Sequence, residues 1–271
     1  MSRTVMNQTT SRTASRSTRG NSDVGVVIAV LLAATGAGIF HWMTKTAPVH
    51  IAVGVDRSLS VEPNCAGFAQ AVGSTFSLPG IQSGSTLSYL AIGPNPRDAQ
   101  PDLLWTEPIP IADDSVFGRD ENARTYEQET SELFDRVTTS CKAGEPTLHT
   151  PLLAMVERGL ELLSGGSFDC GPDDGCVLMI KTDLLEDVDP TLTALLSTAA
   201  KEPGVAVPSE LVGRLKNPGT KVVYCGLSET RPQSNKTPAP PSIESRKRIW
   251  RAMHSEPDLV SFLPYCIAGI P

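Results

Sequence analysis

The segment VHIAVGVDRSLS (Val49–Ser60) passes in one step from a β-branched apolar run to a polar turn. A run without apolar–polar alternation reads as a strand buried on both faces of a sheet, and such a sheet needs helices on either side. The rest of the chain supplies them in alternation. Phe68, Ala69, Val72 and Phe76 recur at helical spacing, STLSYLAIG (Ser85–Gly93) is again strand-like, and helical periodicity returns over Glu127–Cys141 and Thr150–Leu163. The strongest strand, CVLMIKTD (Cys176–Asp183), is followed by a helix near Pro190–Ala200, the strand KVVYCGL (Lys221–Leu227) and a last helix over Ser242–His254. Between Pro94 and Arg124 the chain is rich in Pro and Asp and reads as a surface loop, with room for a short strand near Leu103–Thr106. Strands spaced by helices predict an α/β fold with a Rossmann-like, doubly wound, mainly parallel sheet. In such sheets ligands sit at the carboxyl ends of the strands, beside a switch in strand order.

Composition bounds what surrounds this body. The 271 residues hold 23 Lys and Arg against 30 Asp and Glu and are 40% hydrophobic, enough for one core and too little for a multispanning membrane protein. Residues 1–22 carry Arg3, Arg12, Arg16 and Arg19 and no acid; the whole chain carries −7 and this segment +4, so residues 23–271 carry −11. An acidic body excludes nucleic acid as the main partner, because phosphate neutralisation needs clustered Lys and Arg. The basic segment, rich in Ser and Thr, reads as a disordered cytoplasmic tail.

Directly after it, residues 24–44 are uncharged, bounded by Asp23 and Lys45, and VGVVIAVLLAATGAGIF (Val24–Phe40) is apolar. A helix of that length covers about 30 Å, the thickness of a bilayer core. His41 and Trp42 fall where an interfacial anchor belongs. The expected organisation is a tail over 1–22, one transmembrane helix over 23–44 that meets the membrane through residues 24–42, and an exported domain over 45–271. The positive-inside rule puts the tail in the cytoplasm and the body in the periplasm or outside the cell. A cleaved signal peptide is the other reading, since Ala33, Ala34, Gly36, Ala37 and Gly38 offer small residues for cleavage. Both readings export the body. Cys65, Cys141, Cys170, Cys176, Cys225 and Cys266 all follow the apolar segment, as expected of disulfides formed in an oxidising compartment. Of the fifteen pairings that six cysteines allow, only Cys170 with Cys176 is suggested locally, by the turn-forming GPDDG between them. No CxxC occurs and the histidines are scattered, which argues against zinc.

The chemistry gathers at the strand ends. The first strand runs into Asp56-Arg57-Ser58-Leu59-Ser60, a DxSxS sequence whose carboxylate and two hydroxyls aim three oxygens at one point. Oxygen-only ligation suits a hard cation such as Mg²⁺. On this motif, on TPLLAMV (Thr150–Val156) and on the strand ending in Thr182-Asp183, in that order, residues 49–267 resemble the von Willebrand factor A-like domains. The resemblance implies a metal-ion-dependent adhesion site of Asp56, Ser58, Ser60, Thr150 and Asp183. Thr150 matches the family's threonine because Leu152, Met155 and Val156 supply the apolar positions that follow it, whereas Thr147 has His149 two residues on. The glycine that usually follows the last aspartate is replaced here by Leu184, and the run TDLLED is similar to that of bacterial members.

The resemblance further implies binding rather than catalysis. Ser58, Ser60 and Thr150 would coordinate Mg²⁺, with Mn²⁺ or Ca²⁺ as substitutes, and Asp56 and Asp183 would contribute one direct and otherwise water-mediated contacts. An Asp or Glu carboxylate from a partner protein would complete the shell. A metal-independent scaffold with a vestigial site is the alternative, and a metal-dependent phosphohydrolase a lesser one. Dehalogenase-type phosphatases need a second aspartate where this chain has Ser58, and neither GxSxG nor GxxxxGK[ST] occurs. Each site residue also has a purely local reading. Asp56 and Ser58 suit the cap of the first helix with Glu62 in a capping box, Thr150 suits an N-cap before Pro151, and Asp183 suits a turn. Glu186, Asp187 and Asp189 are expected to form a solvated acidic loop, or else the rim of the site or a second cation's ligands. Arg246, Lys247, Arg248 and Arg251 are expected to form a solvated basic face on the last helix.

Overall fold

Apolar runs too short to be helices pair into a six-stranded sheet, β1 His50–Val55, β2 Thr86–Ala91, β3 Asp102–Pro108, β4 Val177–Lys181, β5 Lys221–Cys225 and β6 Val260–Phe262. The computed structural model describes residues 47–58, 64–77, 81–91, 102–112, 119–143, 149–165, 170, 175–227 and 240–266, all within one compact unit, Thr46–Pro271. The strand order is β3-β2-β1-β4-β5-β6, parallel throughout except for the antiparallel pair β2–β3. The expected α/β, mainly parallel sheet is therefore present. The chain leaves β1 toward β2 on one side and returns to place β4 on the other, so the switch in strand order lies between β1 and β4.

Among the described residues five helices flank the sheet: α1 Cys65–Ser74, α2 Arg119–Lys142, α3 Leu152–Ser164, α4 Pro190–Lys201 and α5 Ile243–Met253. Two apolar clusters sit on its opposite faces. One joins Val53, Val55, Leu87 and Met179 to Phe68 and Val72 of α1 and Leu133 and Val137 of α2. The other joins Ala52, Leu178, Ile180 and Tyr224 to α3, α4 and the α5 residues Ile249, Trp250 and Met253. Two glycines set the seating of α3, since a Cβ at Gly54 would lie 2.7 Å from Met155 Sδ and one at Gly159 would lie 2.5 Å from Leu178 Cδ1. Close approach of backbone to side chain is what the missing Cβ allows there.

Three disulfides close the unit. Cys170 pairs with Cys176 as the local reading suggested, Cys65 of α1 with Cys141 of α2, and Cys225 at the end of β5 with Cys266.

Two expectations are corrected. β3, seven residues long, falls where the sequence leaves room for a short strand near Leu103–Thr106, whereas the loop read through to Arg124 gives way earlier to α2, which begins at Arg119 rather than Glu127. From Glu121 to Glu132 the helix is exposed or half-buried, with no buried apolar stripe to announce it. β6, three residues long, had no expectation at all. The proposed tail (1–22) and transmembrane helix (23–44) lie outside the described residues. Among the described residues no helix is long and apolar enough to cross a membrane.

Candidate functional site

Asp56 follows β1 and Asp183 follows β4 by two residues, so both stand at the carboxyl ends of the two strands that flank the switch. Each is only 1% exposed. The β1–β4 pairing continues one step past the strands, with Asp56 N–H donating to the Lys181 carbonyl at 2.8 Å. Asp56 Oδ1 accepts from the Ser58 N–H at 2.9 Å, and Oδ2 accepts from the Thr182 hydroxyl at 3.0 Å. Burial, then the charge of Asp183, push the Asp56 carboxyl up to about 7, against the lowering effect of its bonds to Ser58 and Thr182. Two buried carboxylates that repel each other in low dielectric form an unstable pair that a cation between them would relieve.

The Asp183 loop is held from several sides. Asp183 Oδ1 accepts from Leu185 N–H at 3.0 Å, so the turn reading of this residue holds for one oxygen. Leu184 takes a left-handed backbone, φ 63°, and is fully buried. That region of backbone space favours glycine, and Leu184 occupies it with a full side chain. A non-glycine residue there costs about 1–2 kcal/mol, and the surroundings enforce it. Leu184 N–H donates to the Thr182 hydroxyl at 3.0 Å, its carbonyl accepts from Trp250 Nε1 at 3.0 Å, and the Asp183 carbonyl accepts from Arg246 Nη1. Arg246 and Trp250 are one helical turn apart, so a single face of α5 grips the consecutive carbonyls of Asp183 and Leu184.

Thr150 is brought to this loop by acids farther along it. Asp187 Oδ1 accepts from the Thr150 N–H at 2.5 Å, and Asp187 N–H donates back to the Thr150 carbonyl at 3.5 Å. Glu186, 4% exposed, accepts from three backbone N–H groups: Leu153 at 2.7 Å, Val188 at 2.7 Å and Asp189 at 3.1 Å. The first is an unsatisfied donor of the opening turn of α3, so Glu186 caps that helix from 33 residues away in sequence. Burial pushes the Glu186 carboxyl up, while the three N–H bonds pull it down. Asp189 caps α4, accepting from Leu192 N–H at 2.8 Å.

Several local readings are thereby overturned. The cap of α1 is Asn64, which accepts from Gly67 N–H, so Asp56 and Ser58 are not helix caps. The N-cap position of α3 is Pro151, and Thr150 makes no capping bond. Of the three acids expected in a solvated loop, Glu186 is buried and Asp189 half-buried, whereas Asp187, although it accepts from the Thr150 N–H, is exposed as expected. Arg246 is buried, not on a solvated basic face, and burial lowers its guanidinium pKa while Asp183 raises it. Ser60 lies outside the described residues. Of the five expected ligands, Asp56, Ser58, Thr150 and Asp183 are buried and stand on loops that this network joins.

Residue-type reasoning overlooked Thr182 and Trp250, and it missed the capping role of Glu186 and the buried grip of Arg246. For Arg246 the signal was available, because it falls on the same helical stripe as Ile249, Trp250 and Met253. Among the described residues no group of three or more His, Cys, Asp or Glu is gathered for a metal; the expected set relies on hydroxyls instead. The two buried carboxylates beside hydroxyl-bearing loops fit a hard cation. Comparison with protein-family models and with curated proteins returns no match for this chain.

Proposed function

We propose that this chain is a membrane-tethered von Willebrand factor A-like domain that captures a protein partner through Mg²⁺. The observation that carries the reading is the Asp56–Asp183 pair, buried together at the switch of a parallel sheet and electrostatically unfavourable on its own. Asp56, Ser58, Ser60, Thr150 and Asp183 would hold the ion. The ion supplies a Lewis-acidic contact for a carboxylate, from an Asp or Glu of the partner. The chain's own groups do the positioning. Thr182 and the Ser58 N–H orient Asp56, α5 fixes the Asp183 and Leu184 carbonyls, and Asp187 with Glu186 holds the Thr150 loop against the Asp183 loop. Hydroxyl ligands are neutral, so the ion keeps positive character for the incoming anion. The apolar segment before Thr46 and the three disulfides support an exported, tethered body.

Thermal melting of the full chain in neutral detergent, with and without Mg²⁺, tests the proposal. Mg²⁺ is expected to raise the melting temperature of the wild type and to leave Asp56→Ala and Asp183→Ala unmoved. A folded wild type with no response to millimolar Mg²⁺, or an equal response in the variants, sinks it.

A further inference from the structure

We propose that the groove between α5 and β6 is a second recognition surface, one that takes an extended acidic segment of a partner protein. The groove, of about 460 Å³, is lined by Glu244, Lys247, Arg248, Arg251, Pro257 and Phe262. β6 ends the sheet, and among the described residues no strand pairs with its outer edge. The wall is therefore a basic helix face and the floor an aromatic ring beside a strand edge.

The three cations are held differently. Arg248 Nη2 donates to the carbonyls of Pro203 at 3.2 Å and Val205 at 2.7 Å, which fixes it as a wall. Lys247 pairs with Glu244 at 2.8 Å, but the Glu244 side chain is 82% exposed. Surface pairs of that kind are weak and yield to a competing carboxylate. Arg251 lies over Phe262, its Cζ 5.1 Å from the ring centroid, and among the described residues its side chain has this ring and no carboxylate as partner. Phe262 is itself stacked on Tyr224, with centroids 5.4 Å apart, so the platform beneath Arg251 is rigid. Lys247 and Arg251, one helical turn apart, thus present donors to the same groove.

Charge complementarity selects the occupant. Residues 23–271 carry −11, and a basic groove on an acidic body is a local reversal of sign that steers acidic partners to one place. A peptide fits better than other polyanions. An extended segment can pair with a strand edge while its side chains alternate between floor and wall. Nucleic acid and anionic membranes are recognised by longer runs of cations than the three found here, one of which is already committed to carbonyls. This surface does not use the Asp56–Asp183 pair, so it is assayed without metal and stands or falls apart from the metal reading.

The test is fluorescence anisotropy of a labelled peptide of alternating Glu and Val, titrated with the full chain in neutral detergent and EDTA. Saturable binding is expected. Lys247→Glu/Arg251→Glu should weaken it about tenfold or more, and Lys247→Gln/Arg251→Gln, which keeps the stems, should weaken it to a lesser degree. Arg158→Glu/Lys142→Glu, the same charge change on α3 and α2, should leave the affinity within about twofold, because exposed charges beyond a Debye length are screened. Circular dichroism establishes that each variant is folded. Absence of saturable binding by the wild type overturns the proposal, as does equal loss in the two charge-reversed variants. Tighter binding of a heparin oligosaccharide or of phosphatidylserine vesicles, lost in Lys247→Glu/Arg251→Glu, overturns the peptide in favour of another polyanion.

Discussion

Two buried groups give this domain opposite responses to acid, and separating them by mutation is a quantitative test of the site's electrostatics. Asp56 is raised from the ordinary 3.8 to about 7. Its folded form holds a proton that the unfolded chain releases, so its contribution to stability is fully present below pH 3.8 and is lost as pH rises to about 7. The difference corresponds to about 4 kcal/mol. His254 is lowered from 6.5 to about 4 by burial, with Nε2 hydrogen-bonded to the Tyr224 hydroxyl at 2.8 Å. Its contribution is present above pH 6.5 and is lost as pH falls to about 4, a change of about 3 kcal/mol in the opposite sense. Without metal the two oppose each other on acidification, and Glu186 adds in the sense of Asp56.

Asp56→Asn removes one side of the balance and should make the protein lose about 3 kcal/mol relative to wild type between pH 7 and pH 4. His254→Gln removes the other and should gain about 3 kcal/mol over the same interval relative to wild type. The assay is urea denaturation at 25 °C in EDTA with disulfides intact, at several pH values. Surface carboxylates common to all variants cancel when the pH slopes are subtracted. Parallel slopes for wild type and Asp56→Asn would refute the reasoning, because Asp56 would then titrate alike in the folded and unfolded chain.

Other consequences follow from the same geometry. Glu186→Ala strands three backbone donors and should cost about 3–5 kcal/mol in urea denaturation, whereas Glu186→Gln keeps part of the acceptor set and should cost less; a loss below about 0.5 kcal/mol for the alanine would show that water replaces the carboxylate. Leu184→Gly relieves about 1–2 kcal/mol of left-handed strain but removes a buried leucine worth about 3 kcal/mol, so the variant should be destabilised by about 1–2 kcal/mol with Mg²⁺ response retained. A stabilised Leu184→Gly would mean that the side chain is not packed as described. Paired serine replacement of Cys65 and Cys141, 76 residues apart, should cost about 4–5 kcal/mol, against about 2 kcal/mol for Cys170 and Cys176, which are 6 apart. The reverse ranking in denaturant midpoints would contradict loop closure as the source of that stability.

The central sheet was legible because β1 and β4 are continuous apolar runs that end in acids, a pattern that marks both a buried strand and its functional end. What escaped the sequence was set by distant partners. Glu186 belongs to an acidic tetrapeptide that looks solvent-facing, and its role as the cap of α3 exists only because Leu153 is folded against it. β6 is three residues long, too short for any period, and is a strand because β5 lies alongside. The polar first half of α2 carries no stripe because little covers it. Leu184 gave no sign of its backbone, since leucine is chosen here by its buried side chain while the conformation is imposed by Thr182 and Trp250.

The central claim is that Asp56 and Asp183 share a cation with an open position for a carboxylate. Mn²⁺ binding to the full chain, followed by loss of the free-ion electron paramagnetic resonance signal and by water-proton relaxation, tests it most directly. Bound Mn²⁺ should retain exchangeable water that an acidic peptide displaces, whereas in Asp56→Ala and Asp183→Ala the free-ion signal should stay undiminished and the relaxation enhancement should vanish. Undiminished binding in folded variants, or no Mn²⁺ bound by folded wild type with or without the acidic peptide, would contradict it.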